Sequence, residues 1–195
     1  GVTASRSWTP AEIASALAAM ATFSTFTPLT FTQVESSAGA TFTMSLAELP
    51  PTVLGQFTSS QIGGFGVFDP TNEFWSPTQL QPGGEGFVTL IHEVGHGLGL
   101  AHPHDNGGVD PNNSSEIMEG ILGPFEGRQT YDFNQAAFTI MSYMSTGREA
   151  TPGPLDIALL QQKYGVITAN AGDNIYEITD GEGNGTLIKA IWDTG

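Results

Sequence analysis

Runs of apolar residues at helical spacing alternate along this chain with shorter runs of alternating polarity. Ile13, Leu17 and Met20, with alanines between them, predict an amphipathic helix over residues 10 to about 22. Thr9-Pro10-Ala11-Glu12 opens it as a capping box, with proline in the first turn. Leu29 to Val34 alternates and is rich in β-formers, and residues 41–46 alternate again with Phe42, Met44 and Leu46 on one face, so both segments are expected as strands. Pro50-Pro51 opens a loop, and Gln61 to Phe68 then reads as a strand carrying Gly63, Gly64 and Gly66. Glycines inside a strand point to a bulge or to the close approach of another backbone. A second helix is expected at about 86–98. A third lies within Pro152 to Gly165, with proline at its start, Leu155, Ala158, Leu159 and Tyr164 as its buried face, and Gly165 as its C-cap. Residues 102 to about 136 show little periodicity, and strand-like pieces return at 174–179 and 186–192.

Helices and strands in this order give an α+β fold, and 195 residues suffice for one domain with a sizeable core plus an appendage. The expected division is a domain over residues 1–165 and a tail over 166–195. Lys+Arg number 5 against 20 Asp+Glu, a net charge of -15, which argues against nucleic acid or an anionic membrane as partner. The same acidity suits an extracellular, calcium-rich setting. Cysteine is absent, so neither disulfides nor a thiolate zinc site can hold the fold. No apolar run approaches the roughly 18 residues of a transmembrane span. Gly1-Val2-Thr3 does not read as a signal peptide.

The chemistry concentrates in His92-Glu93-Val94-Gly95-His96-Gly97-Leu98-Gly99-Leu100-Ala101-His102. His92 and His96, four apart, project from one face of a helix and can close on one Zn²⁺. His102 becomes the third ligand if the helix stops and the chain turns back, and Gly99 supplies that turn. Glu93 points to a neighbouring face, where it can act as general base on a water at the open metal position without coordinating. Gly95, Gly97 and Gly99 each cost a helix roughly 1 kcal/mol relative to alanine, so metal ligation and close packing are the expected compensations. A buried helix with merely hydrogen-bonded histidines, or a closed structural zinc site, is the competing reading, and a closed site would usually recruit a fourth protein ligand. Asp105, Asp110, Asn112 and Glu116 are oxygen ligands at loop spacing and form a candidate Ca²⁺ site, with a solvated acidic loop as the alternative. His104 is expected as an exposed loop residue and not a ligand.

The central stretch resembles the metzincin zinc signature His-Glu-x-x-His-x-x-Gly-x-x-His, and His102-Pro103-His104-Asp105-Asn106 resembles its serralysin branch, which usually has glycine where His104 stands. Thr139 to Ser145, with Met141-Ser142-Tyr143, is similar to the serralysin Met-turn. The resemblance implies that Met141 forms an apolar floor beneath the zinc histidines. It also implies that Tyr143 is a displaceable metal ligand that swings away to donate a hydrogen bond to the oxyanion. It further implies a metzincin catalytic domain: a twisted mixed sheet, a long first helix leading into the Leu29–Val34 strand, an active-site helix and a closing helix. In this clan an edge strand binds extended substrate, and residues 61–68 or 41–46 could be that strand. Lys189 to Gly195 resembles the segment where serralysins enter a C-terminal calcium-binding β-roll, so residues 166–195 are expected to be the first strands of such a roll, continued in this chain or supplied by another. A strand that usually precedes the first helix in the family has no counterpart in the residues before Trp8.

Together these readings lead to a secreted or cell-surface zinc endopeptidase acting on proteins or peptides, with catalytic Zn²⁺ on His92, His96, His102 and Tyr143, Glu93 as base, and structural Ca²⁺. The alternatives are a calcium-dependent surface or adhesion module that kept the fold with little proteolysis, and a zinc hydrolase of non-peptide amides.

Overall fold

One carboxylate sets where the first helix starts. In the computed structural model, which describes residues 6–59, 64–105, 121, 125, 133–145, 147–177, 180–181 and 185–195, helix α1 runs Pro10–Phe23 behind Thr9 as N-cap. Glu12 accepts from the Thr9 backbone N–H at 2.7 Å, while the Glu12 N–H donates to Thr9 Oγ1 at 3.3 Å. Arg6 and the Trp75 indole N–H also donate to the same carboxylate, at 2.9 and 2.7 Å. The capping box is therefore a junction that ties the segment before α1, α1 itself and the loop before the next helix. Ala16, Ala19, Met20 and Phe23 are buried. Ile13 and Leu17, on the flank of that face, line a groove.

The sheet has three described strands, β1 (Phe42–Leu46), β2 (Gly55–Ser59) and β3 (Gly64–Phe68), in the order β1-β3-β2. β1 pairs parallel to β3, with Phe42 opposite Gly64, and β2 pairs antiparallel to β3, with Phe57 opposite Gly66. Helix α2 (Glu85–Gly97) packs on α1 and on the sheet, burying Phe87, Leu90, Ile91 and Val94 in one cluster with Phe23, Leu46 and Phe68. Helix α3 (Pro154–Tyr164) adds Ile157 and Leu160 to that cluster. The chain is thus α+β. No helix among the described residues is long and apolar enough to cross a membrane.

Several expectations need correction. Leu29 to Val34 is not a strand: it runs beside a groove of about 810 Å³ that it shares with Phe42–Met44 and α1, and that gap keeps it out of pairing distance of β1. The stretch after Pro50-Pro51, expected as loop, forms β2, whose apolar anchor Phe57 lies across Gly66; a Cβ on Gly66 would stand 2.9 Å from that ring. The strand expected at 61–68 is β3, with residues 61–63 outside the described residues. β3 is the centre of the sheet and so cannot be a substrate-binding edge.

The buried face of α3 is Asp156, Ile157 and Leu160; Ala158 and Leu159 are exposed, about one residue out of phase with the apolar pattern. The carboxylate of Asp156 is drawn inward by three donors, and that orientation sets the helix phase. Among the described residues of the tail, only Asp180–Gly181 (β4) and Gly185–Thr186 (β5) pair as strands, with Ile188 in a single parallel bridge to Glu149. Residues 174–177 are unpaired, with Ile175 93% exposed, because no strand lies beside them among the described residues. Ala190 and Trp192 nevertheless pack on the main core, and the Trp192 indole donates to the Ile167 carbonyl at 3.0 Å.

The Glu12 junction has a measurable consequence. Hydrogen bonding to Arg6, helped by Thr9 and Trp75, holds its carboxyl at about 2 against burial, below the ordinary 4.5. A depressed folded-state pKa means that its stabilisation is complete above pH 4.5 and is lost as pH falls from 4.5 towards 2. Glu12→Gln is expected to cost about 1–2 kcal/mol at pH 7, the range for a lost cap and charged hydrogen bonds. Thermal melts of both chains across pH should converge through that window. Parallel melting curves down to pH 2 would remove Glu12 from this role.

Candidate metal centre

Helix α2 carries two histidines on one face because neighbouring elements accept its glycines. A Cβ on Gly95 would stand 2.9 Å from Met141 Sδ, and one on Gly97 would stand 2.8 Å from the Phe57 ring. The thioether and the ring occupy the volume that side chains would take, so the helix lies directly on Met141 and on β2. After Leu98 the backbone reverses at Gly99, with φ +96°, a region that favours glycine. The Leu98 carbonyl receives both Lys163 Nζ at 2.8 Å and the Tyr164 hydroxyl at 2.9 Å, which clamps the end of α2 to the end of α3. A cation beside the last helical carbonyls also complements the helix dipole. The turn returns the chain so that His102 faces His92 and His96.

The Nε2 atom of His102 lies 3.1 Å from that of His92 and 3.0 Å from that of His96. Each ring's other nitrogen has an acceptor. His92 Nδ1 faces the Ile140 carbonyl at 2.8 Å, His96 Nδ1 the Leu100 carbonyl at 3.0 Å, and His102 Nδ1 the Asp105 carboxylate at 2.6 Å. Those acceptors assign the protons to Nδ1, so three bare Nε2 lone pairs point at one another. Lone pairs at that separation repel unless a cation lies between them, and the donor set is that of a zinc site with an open fourth position. Burial, with the neighbouring imidazoles, pushes His92 down to about 3 and His96 to about 4, so both rings are neutral at physiological pH. His92, His96 and His102 are thus consistent with a zinc site.

Glu93 sits beside this cluster and is 6% exposed. The Phe57 backbone N–H hydrogen-bonds its carboxylate, while Oε2 is buried with no partner among the described residues. A buried carboxylate oxygen without a donor is costly, and a water or substrate donor at the cluster would satisfy it. Burial pushes Glu93 up to about 8; a cation among the histidines would act in the opposite direction. Tyr143 places its ring 4.6 Å from the His102 ring and 5.8 Å from the His92 ring, and it is 42% exposed. Burial, then the charges of Glu93 and Asp105, raise its pKa, which keeps the phenol protonated as a donor. Met141 is buried against α2 at Gly95.

Two residues near the cluster behave differently from expectation. His104 is not an exposed loop residue: its side chain is 13% exposed, and its ring stacks on His102 at 5.0 Å and touches Tyr143 at 5.1 Å. Asp105 orients His102 through Nδ1, a contact that the sequence reading did not include; Asp110, Asn112 and Glu116 lie outside the described residues. Sequence reading missed this role of Asp105, although a carboxylate three residues after a ligand histidine was a usable signal. It also missed β2, which has one large apolar side chain and no alternation, and Asp156, which is hidden in the polar phase of α3. The Asp156 carboxylate accepts from Thr139 Oγ1 at 2.6 Å, Ile140 N at 2.7 Å and Gly153 N at 2.8 Å. Burial raises it to about 6 despite those donors, so it is ionised at neutral pH.

No family model matches the chain. Among curated proteins it is similar to the serralysin of Proteus mirabilis, 31% identical over 137 residues that cover 60% of this chain and 26% of that protein. Serralysin A of Dickeya chrysanthemi is 33% identical over 140 residues, 62% of this chain and 25% of the relative. Metallopeptidase AprA of Pseudomonas marginalis is 31% identical over 149 residues, 64% and 29% respectively. The chain spans only about a quarter of the length of these relatives. Similarity of this extent to several serralysins, together with the three-histidine cluster beside a buried glutamate, supports membership of the serralysin family of metallopeptidases.

Proposed function

We propose that this chain carries the catalytic part of an exported zinc-dependent endopeptidase that hydrolyses proteins or peptides. The observation that supports this most directly is the convergence of three imidazole Nε2 atoms beside a buried glutamate oxygen that has no partner among the described residues. His92, His96 and His102 would hold the metal. A zinc ion there supplies Lewis-acid chemistry, acidifying water and polarising a carbonyl. Glu93 takes the proton of the attacking water and passes it to the leaving amine. Tyr143, a protonated phenol against two of the ligand rings, donates to the oxyanion or joins the metal as an extra ligand.

Substrate binding falls to β2. It is an edge strand of the sheet, and the Phe57 N–H on its outer side meets the Glu93 carboxylate. An extended peptide pairing along that edge would run past the base. β1, the other edge, lies across the sheet from it. The metzincin domain over 1–165, calcium at Asp110, Asn112 and Glu116, and a β-roll partner for residues 166–195 belong to the same proposal. Exposed Ile175, Tyr176 and Ile191 offer that partner an apolar surface.

The central test is metal analysis combined with digestion of unfolded protein, before and after a chelator. One zinc per chain and chelator-sensitive cleavage are expected; zinc binding without cleavage would favour the surface module. Glu93→Gln should keep stoichiometric zinc and lose on the order of 10²–10⁴-fold in kcat. A Glu93→Gln chain that digests at the parent rate would end its role as base.

Tyr143→Phe should lower kcat more than it raises KM, because the hydrogen bond forms mainly in the transition state; the loss should not exceed about 3–4 kcal/mol. An unchanged kcat on several substrates would make Tyr143 a packing residue only. Asp105→Asn removes the carboxylate behind His102 and should weaken zinc binding roughly 10–100-fold, read by chelator competition. Unaltered affinity would mean that the 2.6 Å contact does not tune the ligand.

A further inference from the structure

We infer that Asp156, on α3, is a positioning residue for the zinc ligand His92, acting through the backbone on either side of Ile140; this rests on the zinc reading of the histidine cluster. The chain of contacts is continuous. Asp156 is 1% exposed, and its Oδ2 accepts the Ile140 N–H at 2.7 Å. The carbonyl of Ile140 lies 2.8 Å from His92 Nδ1. A carboxylate accepting at the N–H of a residue and an imidazole donating at its C=O fix that residue from both sides. The Ile140–Met141 peptide that carries the carbonyl reaches the same carboxylate, because the Met141 N–H donates to Thr139 Oγ1 at 3.2 Å and that hydroxyl donates to Asp156 Oδ1 at 2.6 Å; hydrogen bonds in such a series polarise one another. Asp156 thereby holds the Ile140 carbonyl on the ring, sets the Nδ1–H tautomer and leaves Nε2 bare for metal.

The three ligands are supported unequally. Among the described residues, His102 meets a carboxylate directly, His92 meets one at a remove, and His96 Nδ1 meets only the Leu100 carbonyl. Carboxylates behind metal-bound histidines commonly carry 10–100-fold of metal affinity. Thr139 Oγ1 and Gly153 N, the other donors to Asp156, lie just before the Met141 turn and at the N-cap of α3, so the same carboxylate joins turn and helix. Met141 in turn lies on Gly95, between the two helical histidines. The position of α3 therefore reaches the metal ligands by a polar route through Ile140 and an apolar one through Met141.

Asp69 provides the control. It is also a buried carboxylate, 4% exposed, accepting from Leu49 N, Thr71 N and Thr71 Oγ1, but its donors are unrelated to the histidines. Zinc dissociation constants should be measured by chelator competition on the full chain, Asp156→Asn and Asp69→Asn, at a temperature where circular dichroism shows all three folded. Asp156→Asn is expected to raise the constant about 10–100-fold, and Asp69→Asn to leave it within about twofold, since distant sites act independently. Equal zinc affinity in the parent and Asp156→Asn, or equal losses in both variants, would overturn the inference while leaving the zinc reading intact. A parent chain that binds no zinc would instead overturn that reading and this inference with it.

A second measurement needs no variant. In the zinc-loaded parent, imidazole NMR should show the Nδ1 proton of His92 further downfield than that of His96, because its acceptor belongs to the Ile140–Met141 peptide, whose N–H is tied to the Asp156 carboxylate through the Thr139 hydroxyl. Coincident shifts would overturn the inference even if Asp156→Asn failed to fold.

Discussion

Three imidazole nitrogens with bare lone pairs, about 3 Å apart, are the constraint that the surrounding structure serves. Left alone, neutral imidazoles would rotate away or share protons. Here each ring is held from behind by an acceptor from a different place: the Ile140 carbonyl just before Met141, the turn carbonyl of Leu100 and the carboxylate of Asp105. The geometry therefore depends on α2, on the reversal at Gly99 and on the turn before α3 being correct together. A metal bound there and the tertiary structure would stabilise one another, since a site assembled from separate elements does not exist in the unfolded chain.

The glycines of α2 follow from the same constraint. Each weakens the helix, but each lies where a neighbour has taken the side-chain volume: Met141 at Gly95, and Phe42 with Phe57 at Gly97. Helix α2 is kept by burial of Phe87, Leu90, Ile91 and Val94 in the core, not by propensity. The close approach that the glycines permit puts the strand β2 against Glu93. That contact both desolvates the carboxylate and gives it one backbone donor, leaving the second oxygen for whatever occupies the cleft.

Polar contacts extend the arrangement outward. Lys163 and Tyr164 close the end of α2, Asp156 joins α3 to the segment at Ile140, and Glu12 joins α1 to the loop before α2. The protein has no cysteine, and these buried or half-buried hydrogen-bonded junctions stand where cross-links could have. Each junction connects segments that are far apart in sequence.

Much of the site was legible because its chemistry is local in the chain. The spacing of His92, His96 and His102, the adjacency of Glu93 and the turn at Gly99 lie within one helix and the reversal after it, where helical periodicity and glycine conformation are decided by neighbouring residues. Helices α1, α2 and α3 were readable for the same reason, through capping boxes, prolines and terminal glycines. Long-range partners decided the rest. β2 exists because Gly55–Ser59 finds the edge of β3, whereas Leu29–Val34, the better strand by pattern, lies across a groove from β1 and pairs with nothing described. The phase of α3 was set by three donors converging on Asp156, which outweighed the apolar pattern of Leu155, Ala158 and Leu159. His104 became a half-buried ring because His102 and Tyr143 offered faces to stack on. Sequence alone thus determined which residues can ligate and where helices begin and end, since those depend on contacts a few residues apart. Strand pairing, helix phase and the groups behind each ligand waited for the tertiary structure, because a hydrogen-bond partner distant in the chain leaves no period in the residues that receive it.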